Sequence, residues 1–272
     1  MDPKLQRRVQ RYGWDRAAEH YERSWSAQLE PAQRLLLEMA NLRAGESVLD
    51  IACGTGLVTF NAAAAVGPAG VVVGTDISEA MVASCRRAAA ERGWTQARFE
   101  RMEAESLQLA DGSFDAVLCA LGLMYVTDFP GAIREMHRVT KPGGRAVAAV
   151  WGRRDRCGWA EIFPIVDRRV NTEVCPMFFQ LGTGDVQKSL FEQAGFTGVR
   201  SERINVELAY ASDEEACVAA FAGGPVAMAY SRFDEATRAG AYAEYLESIG
   251  AYRRGSGYAI PGEYVVTAGS RA

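Results

Sequence analysis

A doubly wound α/β sheet is the fold class this chain predicts, and three observations predict it. The run Val48-Leu49-Asp50-Ile51-Ala52-Cys53-Gly54-Thr55-Gly56-Leu57 reads as a buried strand that ends in an acid and turns through a glycine loop into an apolar helix. A second β-branched run, Val71-Val72-Val73-Gly74-Thr75, also closes on an acid, Asp76. Strand-like and helix-like stretches then alternate to about residue 150, the rhythm of a parallel sheet covered on both faces.

Each element has its own signal. Residues 15 to 40 read as helical, with Leu35, Leu36, Leu37 and Met39 apolar; the first strand follows at 47 to 51, a helix from Leu57 to Val66, and the second strand at 71 to 75. Ser78 is placed to cap a helix through Arg92, which Gly93 would end. A short strand is expected at Ala97 to Glu100, a fourth at Ala116 to Ala120, a helix from Phe129 to Val139 and a fifth strand at Arg145 to Val150. After Val150 the period is lost until a helix at Val186 to Ala194 and a strand near Val199 to Leu208; a terminal strand is expected at Tyr264 to Ala268.

Composition bounds the function. The 272 residues are 49% hydrophobic with a formal charge of −4, which suits one globular domain and supplies no basic stripe for nucleic acid. No run of about eighteen apolar residues exists to span a bilayer, and MDPKLQRRVQRYGWDR lacks the apolar centre of a secretory signal, so a cytoplasmic protein without integral membrane association is expected. Six cysteines (Cys53, Cys85, Cys119, Cys157, Cys175, Cys217) have no metal-ligand spacing, and no metal site is expected. The cluster Lys4, Arg7, Arg8 and Arg11 reads as a solvated helix face, with weak association of that face with a membrane surface as the alternative.

The glycine loop carries the chemistry. Gly54 and Gly56 let the backbone approach a ligand where a Cβ would collide, and Asp76 lies about twenty residues further on, where a neighbouring parallel strand delivers a carboxylate to ribose hydroxyls. Thr59 stands where the dinucleotide fingerprint has its third glycine or alanine. A β-branched residue there hinders close approach to a pyrophosphate, so a nucleoside cofactor without one is expected and a nicotinamide dehydrogenase is disfavoured.

With these residues the chain resembles the class I S-adenosylmethionine-dependent methyltransferases, in their small-molecule branch that includes the ubiquinone and menaquinone C-methyltransferases. The resemblance covers roughly residues 40 to 150. It rests on VLDIACGTG, the strand-end acid of GTDIS, Met102-Glu103-Ala104-Glu105-Ser106-Leu107, Ser113-Phe114-Asp115-Ala116-Val117-Leu118 and Arg138-Val139-Thr140-Lys141-Pro142-Gly143-Gly144. It implies a Rossmann-like sheet of seven strands whose last strand is antiparallel, plus a mainly helical lid. The expected single domain has its core at about 31–150, 183–211 and 259–272, and its lid at about 1–30, 151–182 and 212–258.

The cofactor implied is S-adenosyl-L-methionine, with S-adenosyl-L-homocysteine as product. Asp50 would hold the methionine amine, backbone at Ala52, Gly54, Thr55 and Gly56 would approach ribose and methionine, and Asp76 would take the ribose hydroxyls. Ile77 and Met81 would cover the adenine, Glu103 and the Ala104 amide would read its edge, Leu121 would lie near the sulfonium, and Tyr21 would reach the methionine tail. Glu103 departs from the more usual Asp by one methylene.

The acceptor is less legible. Methyl transfer needs alignment and exclusion of water more than a base, and no dyad or triad is visible; His20, Tyr21 and Tyr125 are the candidates for proton transfer. Trp25, Tyr125, Trp151 and Tyr230 are the expected pocket residues, fit for a flat, apolar or aromatic small molecule and equally for a cationic amine. A nucleic-acid methyltransferase, disfavoured by charge and by the lack of an Asn/Asp-Pro-Pro-aromatic motif, and a non-catalytic cofactor-binding module are the alternatives. Acceptor identity, accepting atom and oligomeric state are not legible in the sequence.

Overall fold

The computed structural model describes residues 3–170, 175 and 177–272. In chain order it contains α1 (Pro3–Ala40), β1 (Ser47–Ile51), α2 (Leu57–Val66), β2 (Val71–Asp76), α3 (Glu79–Arg92), β3 (Ala97–Arg101), β4 (Phe114–Ala120), α4 (Phe129–Val139) and β5 (Thr140–Trp151). There follow α5 (Ile162–Val170), α6 (Val186–Gln193), β6 (Thr197–Tyr210), α7 (Asp213–Cys217), α8 (Ala227–Tyr230), α9 (Glu235–Ser248), β7 (Arg253–Arg254) and β8 (Gly257–Ser270).

The sheet order is β3-β2-β1-β4-β5-β8-β6, with the two-residue β7 paired to β8. Strands β1 to β5 are mutually parallel, and β8 inserts antiparallel between β5 and β6, with Trp151 opposite Tyr264 and Ile204 opposite the same residue on the other side. The seven long strands and the reversed last strand agree with the expected fold. Chain order reverses between β1 and β4, and in such sheets the crevice beyond the strand ends at that point is where ligands bind.

Local chemistry explains the elements. Ser78 Oγ accepts from the Met81 amide at 3.2 Å to cap α3, and Gly93 ends it in the left-handed region at φ 68°. β1 and β4 are almost fully buried, as expected of strands covered on both faces. Two of the sequence motifs prove architectural. Asp115 accepts from the Ser47 amide at 2.9 Å and from Lys141 Nζ at 2.8 Å, tying the starts of β1, β4 and β5 together. Arg138 clamps the chain before β4 through the Leu107 and Leu109 carbonyls and Glu135.

The expected boundaries need three corrections. The first helix begins at Pro3 rather than near residue 15 and continues through Pro31, because Gln10, Gly13 and Ala17 form a buried stripe that holds its first turns to the body. Tyr264 Oη donates to the Gln28 carbonyl at 2.9 Å and Gln28 Nε2 donates to Ala209 O at 2.8 Å, anchoring the helix where proline interrupts its own bonding. The terminal strand is 14 residues long, not confined to 264–268, since β6 of equal length pairs along it. Within 151–182, where no period was legible, α5 buries Ile162, Phe163, Ile165 and Val166; residues 171–174 and 176 of that span lie outside the described residues.

Candidate active site

The glycine loop is shaped by packing before any ligand is considered. Gly56 sits at φ 90°, and a Cβ there would lie 2.7 Å from the Phe60 ring and 3.2 Å from Cys85 Sγ. Gly54, at φ 55°, has the Tyr21 ring 3.5 Å from where its Cβ would be. Of the three described residues with side chains that share this unusual conformation, two lie here, Ala52 at φ 55° and Leu121 at φ 62°, just past β1 and β4; the third, Asn41 at φ 45°, follows α1. Left-handed backbone costs a non-glycine residue of order 1–3 kcal/mol and recurs where a ligand site dictates the geometry. Here the two strand ends touch: a Cβ on Gly122 would fall 2.4 Å from that of Ala52.

Asp50 and Asp76 stand at adjacent strand ends, 1% and 7% exposed. Asp76 is clamped, Oδ2 accepting from the Gly54 amide and Oδ1 from the Ser78 amide, both at 2.9 Å. Asp50 accepts from Thr59 Oγ1 at 2.5 Å through Oδ2, while its Oδ1 is buried with no partner, as is Thr55 Oγ1. Burial pushes the Asp50 carboxyl up to about 7 against the opposing Thr59 hydrogen bond, with the Asp76 charge adding to the rise. Burial likewise lifts Asp76 to about 6, opposed by its amide donors. An orphaned carboxylate oxygen in a recess calls for a cationic or hydrogen-bond-donating ligand.

Beyond these strand ends lies a cavity, about 1010 Å³ when the open space at its mouth is counted. Of the residues expected at the cofactor, Tyr21, Ala52, Gly54, Asp76, Ile77, Met81, Ala104 and Leu121 line it. Asp50 opens instead on a small recess that shares Tyr21, Ala52 and Ala120 with the cavity wall. Thr55 and Gly56 shape the loop behind that wall. Glu103 points away: its half-exposed carboxylate pairs with Arg7 Nε at 3.4 Å. Glu105 lines the cavity, its carboxylate fixed by the Thr127 amide at 3.0 Å and hydroxyl at 2.6 Å.

Part of the cavity lining is aromatic. Trp25, Tyr125 and Trp151 line it together with Trp14, Trp159 and Phe178. Trp151 and Trp159 meet edge to face at 4.7 Å, and Tyr125 packs between Trp14 at 4.9 Å and Phe178 at 5.4 Å. Tyr230 is elsewhere, its hydroxyl 2.8 Å from that of Tyr242 and its ring beneath Arg238. His20 lies outside the lining, 3.5 Å from Arg23. Burial holds the Tyr21 and Tyr125 hydroxyls well above the ordinary tyrosine range, in Tyr21 with help from the Asp76 and Asp50 charges, so neither is ionised at neutral pH.

Sequence reading missed Thr59 as the partner of Asp50, and Arg7, Gln10, Trp14 and Glu105 as cavity residues. Arg7 corrects the solvated-face expectation: it is half-buried, donating to Thr127 Oγ1 at 3.1 Å and facing Glu105 at 3.6 Å, because α1 starts early enough to lay its first turns across the cavity. Asp15, also on α1, accepts from Ser78 Oγ at 2.6 Å and the Ala80 amide at 3.2 Å. The spacing of residues 7, 10, 14 and 21 on one helical face was the available signal, hidden by their polar and aromatic mixture.

Residues 48–144 match the family described as a methyltransferase domain. The chain is 44% identical over 114 residues to a ubiquinone/menaquinone biosynthesis C-methyltransferase of Hahella chejuensis, a match covering 42% of this chain and 46% of that protein. At the same identity it matches the corresponding protein of Ectopseudomonas oleovorans, covering 42% of this chain and 67% of that one. The chain thus spans about half the length of the first of these relatives. Its fold is shared with the YcgJ protein of Bacillus subtilis, at a TM-score of 0.62 and 19% identity over 89% of this chain and 99% of that one. The chain belongs to the class I S-adenosylmethionine-dependent methyltransferases.

Proposed function

We propose that the protein transfers a methyl group from S-adenosylmethionine to a small, apolar or aromatic acceptor by in-line displacement. One observation carries this: of two buried strand-end carboxylates, Asp76 lines a cavity that is also walled by indole, phenol and phenyl rings, and Asp50, with its orphaned oxygen, lies on a recess that shares part of that cavity's wall. When bound, S-adenosylmethionine supplies a methyl group already activated by its sulfonium. The protein's task is then alignment and exclusion of water.

In this reading Asp76 accepts from the ribose hydroxyls, and Asp50, oriented by Thr59, receives the methionine amine. Backbone at Ala52, Gly54 and Gly56 lies along the ribose and tail, under the Tyr21 ring. Ile77 and Met81 flank the adenine; Glu103 and the Ala104 amide are assigned its edge, although Glu105 is the acid that lines the cavity. Leu121 abuts the reacting centre. Trp25, Tyr125 and Trp151 form the acceptor wall, while Tyr230, outside the cavity lining, is assigned no contact with the acceptor. No side chain is assigned as a base; Tyr21 and Tyr125, held protonated, serve as hydrogen-bond donors, and His20 is remote.

The cover is assigned to 1–30, 151–182 and 212–258, with the core at 31–150, 183–211 and 259–272. Supporting it, the cavity takes Arg7, Trp14 and Trp25 from the first span, Trp159 and Phe178 from the second, and Gly224 and Pro225 from the third. An uncharged acceptor is favoured over an ammonium. Taking an ammonium out of water into a lining built largely of aromatic and aliphatic side chains costs more than burying an uncharged acceptor there. The acidic balance disfavours nucleic acid, and six scattered thiols support a cytoplasmic setting.

Calorimetry with S-adenosylmethionine, S-adenosylhomocysteine and NAD, followed by a screen of phenols, quinols and amines with methyl-labelled cofactor, tests the proposal. Micromolar binding of both sulfur compounds and labelling of an uncharged aromatic are expected. NAD binding with no response to either sulfur compound would overturn it.

A further inference from the structure

Helix α1 has two faces with opposite tasks. One carries Arg7, Gln10, Trp14 and Tyr21 into the cavity. The other carries Leu5, Arg8, Tyr12 and Arg16, spaced by three, four and four residues and therefore aligned in one stripe over more than three turns. All four are exposed, and Leu5 at 41% and Tyr12 at 46% are the exposed large apolar side chains among the described residues. Arg11 flanks the stripe with its guanidinium 5.6 Å from the Tyr12 ring centre. Between residues 4 and 18 the single acid is Asp15, and it is occupied with Ser78 and Ala80. The stripe meets its next acid only at Glu19.

We propose that this face of α1 docks on an anionic lipid bilayer, lying flat in the interface above the cavity that it roofs. Three arginines interleaved with a leucine and a tyrosine, on a chain whose net charge is −4, are complementary to anionic headgroups with acyl chains beneath them. A nucleic-acid surface would use the cations and leave Leu5 and Tyr12 unburied. The location adds a reason: the helix face that meets the bilayer backs onto an aromatic-walled cavity, so an apolar ligand dissolved in the membrane would have a short path to it. Docking here is peripheral, since no helix among the described residues is long and apolar enough to cross a membrane.

The test is co-sedimentation of the full chain with phosphatidylcholine vesicles, with and without phosphatidylserine, at low and high salt. Binding to the mixed vesicles, weak binding to phosphatidylcholine alone and release by salt are expected. The R8E/R16E variant should lose at least about tenfold in partitioning, because each cation near such a surface contributes severalfold. L5S/Y12S, which keeps every charge, should also bind less. Calorimetry with S-adenosylhomocysteine confirms that each variant is folded and keeps this test separate from the methyl-transfer proposal. Failure of the wild-type chain to bind mixed vesicles, or equal binding by R8E/R16E, overturns the inference. Unchanged binding by L5S/Y12S together with equal affinity for duplex DNA would identify a plain polyanion surface and overturns it as well.

Discussion

Asp50 and Asp76 do different work although each ends a strand. Asp76 is already held by two amides, so a ribose diol adds to a preorganised acceptor, and charge-assisted hydrogen bonds of this type are worth roughly 1.5 to 3 kcal/mol. Asp76→Ala should therefore weaken S-adenosylhomocysteine binding by about 2 kcal/mol or more by calorimetry, and Glu103→Ala much less, its carboxylate being turned toward Arg7. Asp50, lifted to about 7, also sets a pH dependence. A ligand carrying an amine and a sulfonium prefers the ionised carboxylates, so cofactor affinity should rise between about pH 5 and pH 8 with proton release on binding. Calorimetry in buffers of different ionisation enthalpy reads that proton; an affinity flat across this range would contradict the assignment.

Among the elements, α1 matters most for access. Arg7 ties its first turns to Glu105 and Thr127 on the far side of the cavity, and Asp15 ties its middle to the capping residue of α3. Both contacts have to break for α1 to lift from the cavity. Arg7→Ala should accordingly speed cofactor release severalfold in stopped-flow displacement while leaving the fold intact. The proposed acceptor wall draws on further elements as well, with Tyr125 after β4, Trp151 at the end of β5 and Trp159 and Phe178 beyond it. Substitutions at Trp151 or Trp159 should lower turnover or change acceptor preference with cofactor affinity held within about tenfold, roughly 1.4 kcal/mol. A larger loss of cofactor affinity would mean that the two ligands share that wall.

For the whole molecule, burying two acids is a stability cost that depends on pH. Their folded pKa values, about 7 and about 6, lie above the ordinary carboxylate range, so the folded state binds more protons than the unfolded one between about pH 4 and pH 7. The contribution of these groups to stability is therefore greatest in acid and falls as pH rises through that window. Saturating S-adenosylhomocysteine should offset it: at a hundred times Kd the gain is about 2.7 kcal/mol, or a melting shift of roughly 5 °C or more for a domain of this size. Scanning calorimetry at pH 5 and pH 7.5 should find the ligand-induced shift larger at the higher pH.

The order of the first five strands, the capped helix after Ser78, and the glycine loop and strand-end acids of the candidate site could be read from sequence because local signals carry them. Glycine torsions, a capping hydroxyl and an acid at each strand end are decided within a few residues, and residues 48–144 contain them all. The aromatic part of the cavity lining could not be read that way. Trp14, Trp25, Trp151, Trp159 and Phe178 come from distant parts of the chain and have no common period, so only the packing of α1 and the post-β5 segments across one face makes them a wall. The same holds for single residues. Thr59 as the partner of Asp50, Glu105 rather than Glu103 at the cavity, and Arg7 as a tie instead of a solvated charge each depend on a contact between elements, and no local pattern specifies which neighbour a side chain will meet.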